Sequence, residues 1–87
     1  DFKRDVSELE KIVQNVGLFT KILKTSDKVV TKFLDDYEVE KQVEKANTAH
    51  NFFSNQVYSK DMLEVIDSKI RQEQEEIDYI KKTISGL

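Results

Sequence analysis

His50 is the chain's one histidine, and there is no cysteine. Those two counts remove most nucleophilic and thiolate chemistry. A triad needs a base at a defined place beside a hydroxyl or thiol, and no Ser or Asp stands at such a spacing from His50. Cradling a phosphate with backbone amides needs a glycine-rich loop. The only glycines, Gly17 and Gly86, stand alone. Glu73, Glu75, Glu76 and Asp78 make an acidic run that reads as the solvated face of a helix. A metal site built from carboxylates alone would need several helices to converge on it. No catalytic, cofactor-binding or metal-binding residue is assigned, no cofactor is expected, and the chain is not expected to be an enzyme.

Two polar residues stand where apolar ones belong. Glu73 falls in an apolar series between Ile70 and Ile77. A lone carboxylate inside a seam is costly unless it finds a partner, but a polar seam residue can fix register and oligomeric state. His50 lies in Ala46-Asn47-Thr48-Ala49-His50-Asn51-Phe52-Phe53, with small residues before it and aromatics after it. It can be read as a phosphoacceptor, as a pH sensor, since imidazole titrates near neutral pH, or as a half-buried helix position beside Phe53. Four-helix phosphotransfer domains share this scale and helicity, but keep a Lys and a Gly just after the histidine. Here Asn51, Phe52, Phe53 and Ser54 follow. The string from Glu73 to Ile80, EQEEIDYI, resembles the centre of a SNARE motif, a polar layer followed by an Ile-Asp-x-Ile step. That resemblance covers one helix and puts Glu where the family carries Gln or Arg. It implies pairing in a four-helix membrane-trafficking complex, a further alternative function beside a signalling bundle that uses His50 as phosphoacceptor or pH sensor.

The elements that position these residues follow from periodicity. Phe2, Leu9, Val16, Leu23, Val30 and Tyr37 recur every seven residues, with Val6, Val13, Thr20, Asp27 and Leu34 at the alternate position. This is the 4-3 pattern of a coiled-coil seam. Ile12, Leu18, Phe19 and Ile22 widen the stripe, which predicts cover by more than one neighbour. Lys24-Thr25-Ser26-Asp27-Lys28 thins the pattern and offers an N-cap at Thr25 or Ser26, yet the heptad phase passes through it unchanged. A turn is preferred there over a continuous helix. If the helix were continuous, Lys21, Lys24, Lys28 and Lys32 would form one basic stripe, with the acidic residues Asp35, Asp36, Glu38 and Glu40 after it.

After Tyr37 the phase slips. Val39, Val43, Ala46, His50, Phe53 and Val57 form a new series, and Ser54-Asn55 begin its end. Residues 35–48 are the least apolar and are expected to be the most exposed. Ser59 is an N-cap candidate, with Asp61 and Glu64 in the first turn. Leu63, Ile66, Ile70, Glu73, Ile77, Ile80, Ile84 and Leu87 then keep strict 3-4 spacing. Asp67→Arg71 and Asp78→Lys82 are oriented as favourable i,i+4 pairs, and Gly86 suits a C′ position. Helices are predicted near 3–24, 27–54 and 60–85, with no strand.

The predicted class is therefore all-α: a heptad-patterned three-helix bundle or extended coiled-coil helices. The 87 residues suffice for one domain, and the ends read as those of a fragment of a longer chain. Charged residues make up 36% and hydrophobic ones 38%, a balance that suits helices with one apolar stripe rather than a thick core. A net charge of -3 with mixed signs argues against nucleic-acid binding. No apolar run reaches the ~18 residues of a membrane span, so insertion by this segment is not expected. The absence of cysteine suits an intracellular, cytoplasmic setting. The expected function is a non-enzymatic helical interaction module, a scaffold or tether in a multi-subunit assembly, with another helical chain as homo- or hetero-oligomeric partner. The partner seam is predicted at Leu63, Ile66, Ile70, Ile77, Ile80 and Ile84. The same series could instead face the chain's own helices. Glu73 and His50 are the candidate register or switch residues.

Overall fold

A computed structural model describes residues 1–24 and 39–86. Among them are three helices and no strand: α1 (Phe2–Leu23), α2 (Val39–Ser54) and α3 (Lys60–Ser85). The all-α bundle read from the periodicity is the observed fold. The first and last helices end within about a residue of their predicted bounds. The predicted start of the second helix at 27, the caps at Thr25 or Ser26, Lys28 and Lys32 of the basic stripe, and Asp35, Asp36 and Glu38 all lie outside the described residues.

Local chemistry sets the helix ends. The Asp1 side chain accepts from the Lys3 backbone N–H at 3.2 Å, and Ser59 Oγ accepts from Met62 N–H at 3.4 Å. Each satisfies one of the orphan donors of a first turn, where Asp5 and Asp61 also complement the helix dipole. Ser59→Ala is expected to lower stability by about 0.5–2 kcal/mol, read as a drop in thermal midpoint with helix content retained. Gly86 differs from its predicted role. It is the C-cap itself, with ordinary right-handed dihedrals (φ -81°, ψ -8°), and its N–H reaches the Lys82 and Thr83 carbonyls. The helix stops there without a left-handed residue.

α1 and α3 run parallel. Phe2 meets Tyr58 edge-on at 6.3 Å, Lys69 pairs with Glu10 at 3.7 Å, Glu76 lies against Gly17, and the Lys24 ammonium sits 4.5 Å over the Tyr79 ring. α2 runs antiparallel to both, joined to α3 through residues 55–59. At one end Phe53 packs with Leu9, Ile66 and Ile70. At the other Val39, Val43 and Ala46 pack with Val16, Leu23, Ile77 and Ile80. The core is thus two apolar clusters on one axis.

Each stripe is narrow, as the composition required. Thr20 keeps its seam position because its hydroxyl donates to the Val16 carbonyl at 3.0 Å. Leu18 is exposed, while Ile12, Phe19 and Ile22 are half-buried against the core, so the widened stripe of α1 is only partly covered. Val57 leaves the seam altogether at 97% exposure, because the helix that would have carried it inward ends at Ser54. Residues 35–48 are expected to be the most exposed, and 39–48 of them, in α2, are described. The charged face of α2 is exposed, but Val39, Val43 and Ala46 are buried.

Candidate functional site

Two places depart from a plain three-helix core. The first is the waist between the apolar clusters. On α3, Ile70 belongs to one cluster and Ile77 to the other, and Glu73 stands between them. Heptad spacing turns Glu73 inward with its neighbours. It is 0% exposed, and neither carboxyl oxygen has a hydrogen-bond partner. Burial, helped by the nearby Glu76 carboxylate, pushes its pKa up to about 7.

Glu76, one turn on, is half-buried, with Oε2 buried and unpartnered. Burial raises its pKa, the Lys24 ammonium opposes that rise, and Glu75 adds to it. The carboxyl rests on α1 where Gly17 has no side chain. A Cβ there would come within 3.3 Å of Glu76 Oε1. Gly17 has no positive φ and sits in a helix interior, where glycine costs about 0.5–1 kcal/mol relative to alanine. Room for the glutamate is the physical reason for it.

His50 shares this level. It lies on α2 between Phe53 of one cluster and Ala46 of the other, as Glu73 lies between Ile70 and Ile77. Its ring is half-buried, and Nδ1 is buried without a partner. The two residues singled out in the sequence are therefore brought to one layer. Among the described residues no three His, Asp or Glu side chains converge as metal ligands.

Four residues of the predicted partner seam lie inside the bundle. Ile66, Ile70, Ile77 and Ile80 are buried against α1 and α2, Ile84 is half-buried, and Leu63 is 37% exposed at the rim. Of the two readings left open, the structure places these isoleucines against the chain's own helices. A partner could reach all four only if the bundle opened. Asp78, expected to pair with Lys82, accepts a hydrogen bond from Gln74 Nε2 at 3.1 Å.

The second place is a groove of about 600 Å³ between α1 and α2. Ile12, Ala49, Phe52 and Phe53 line it, with Glu8 toward one end and Lys41, Glu44 and Lys45 toward the other. Phe52 is 53% exposed and meets Phe53 edge-on at 5.3 Å. Periodicity does not reveal this groove, because its walls come from two helices. The adjacent phenylalanines are the available signal: consecutive helix positions point about 100° apart, so a narrow stripe that buries one leaves the other at its edge.

At the Phe53 end, Tyr58 Oη donates to Asp5 Oδ2 at 2.5 Å and so ties the loop to α1. Burial and the Asp5 carboxylate push the phenol up to about 12. The site residues thus define a small all-α bundle with a polar waist and an open flank. The chain matches no family model, and no curated protein or solved structure shows significant similarity to it.

Proposed function

We propose that the chain is a non-enzymatic helical docking module, a scaffold or tether whose partner is an amphipathic helix of another chain. The observation that carries this reading is the α1/α2 groove. A trough between two antiparallel helices, with an apolar floor and charged rims, is where a further helix completes a bundle. Phe52 is the anchor. A half-exposed aromatic beside a well-packed one offers a large apolar contact at little entropic cost. The rim carries both signs, Glu8 and Glu44 with Lys41 and Lys45, which favours a partner helix with an apolar stripe flanked by mixed charge. This moves the expected contact from the α3 seam to the opposite side of the fold.

The reading predicts a separation of binding from folding. Phe52→Asp should cost no more than about 1 kcal/mol of stability, as for a half-exposed site that loses one ring contact. A photoreactive phenylalanine analogue at position 52, in the protein's native cellular setting, should cross-link to a helical partner, and competition by the unmodified chain, but not by its Phe52→Asp form, should suppress the adduct. The same analogue at Leu18, exposed on another side of α1, is the control. Equal adducts from both positions would sink the proposal.

A further inference from the structure

The carboxyl group of Glu73 sits in the bundle where no hydrogen bond and, among the described residues, no opposite charge answers it. Both oxygens are unpartnered and the residue is fully buried. The polar groups around the waist come from each helix. On α3 these are Glu76, itself carrying a buried unpartnered oxygen, and Lys69, whose ammonium is 3.7 Å from Glu10 of α1. On α2 it is His50, with Nδ1 buried and unpartnered. On α1 it is Lys24, which lies over the Tyr79 ring and acts on Glu76. Among the described residues none of these cations is paired with Glu73. The site therefore accepts a neutral acid far better than a carboxylate.

Its position gives this preference a mechanical consequence. Glu73 is the one residue of the α3 seam between the two clusters, so ionisation strikes the layer that joins the two ends of the core. We propose that Glu73 is a proton-operated catch: the bundle closes on the neutral acid, and loss of the proton loosens α3 from α1 and α2 at the waist and uncovers its isoleucine seam.

The direction with pH follows from linkage. The group titrates near 4.5 in the unfolded chain and near 7 in the bundle. Below 4.5 both states hold the proton, and the stabilisation is complete. Between the two values the unfolded chain has released it and the bundle has not, so stability falls as pH rises. Above 7 the loss is complete. Glu76, raised in the same direction, adds to this trend. The difference between those two values corresponds to a folding constant lowered on the order of 10²-fold between pH 5 and pH 8.

Urea denaturation of the 87-residue chain between pH 5 and pH 8 tests the catch. Wild type should lose at least that 10²-fold, Glu73→Gln and Glu73→Met should keep only the smaller fall that Glu76 contributes, and His50→Gln should keep the wild-type fall. Hydrogen exchange should show residues 66–80 losing protection with pH, beyond the intrinsic trend, in wild type but not in Glu73→Met. A fall of the full wild-type size that survives in both Glu73 variants, or one that vanishes in His50→Gln, overturns the proposal. An NMR titration of the wild-type Glu73 carboxyl needs no variant: a midpoint near 7 supports the catch, and one near 4.5 overturns it.

Discussion

Ile77→Asp should abolish the fold at neutral pH. Ile77 is 0% exposed and lies one turn beyond Glu73, in the cluster with Val16, Val43 and Ala46. Removing its side chain from the core gives up about 1.5–3 kcal/mol of apolar burial. The larger loss is electrostatic. An aspartate at 77 would be a second unpartnered carboxyl, one turn from the first, and an uncompensated buried charge costs roughly 3–5 kcal/mol. A domain of this size holds on the order of 5–10 kcal/mol in total. The sum, about 4.5–8 kcal/mol, takes up most or all of that, so circular dichroism should show the helix signal largely lost. Ile77→Val, which removes one methylene, should cost only about 0.5–1.5 kcal/mol and stay folded. A cooperative, native-like melt for Ile77→Asp would show that α3 turns another face inward.

This outcome also bears on the two readings of the isoleucine series. Heptad spacing identifies a seam but not its owner, because side-chain packing in cis and in trans obeys one periodicity. The sequence therefore placed Ile66, Ile70, Ile77 and Ile80 on one face correctly and left open what covers them. Tertiary contact with Val16, Leu9 and Phe53 decided it. Ser59 was readable as a cap because its chemistry is local. Val57 was misread because a heptad extrapolates past the helix end, and only the turn after Ser54 stops it.

Glu73 was readable as an anomaly, a charged residue at an apolar position. Its lack of a partner was not, since that depends on which side chains of α1 and α2 reach the same layer. Gly17 belongs to the same problem. A glycine within a helical pattern signals close approach of something, and the structure supplies Glu76 as that neighbour. The two residues lie far apart in sequence, and only the parallel pairing of α1 with α3 brings them together. The groove beside Phe52 was hidden for a related reason: its walls come from two helices whose relative placement no single-helix pattern encodes.

Phe53 and Phe52 provide the sharpest test of that placement. Phe53 is 3% exposed and fills the end of the core with Leu9, Ile66 and Ile70. Phe52, its neighbour, lines the groove at 53% exposure. Phe53→Ala should therefore cost about 3–5 kcal/mol, since it removes an aromatic and leaves a cavity that three aliphatic neighbours cannot fill. Phe52→Ala should cost under about 1 kcal/mol, mostly the lost edge-on ring contact. Denaturant midpoints measure both. The damage should also be local, because the Glu73 layer separates this cluster from the one around Ile77. Amides near Leu9 and Ile66 should lose hydrogen-exchange protection before those near Leu23 and Ile80, as expected when part of a core opens alone. Equal costs for the two phenylalanines, or the reverse order, would mean that α2 is rotated by about one residue's turn, some 100°, from its packing here. That rotation would bury Phe52, close the groove and remove the surface on which the docking function rests.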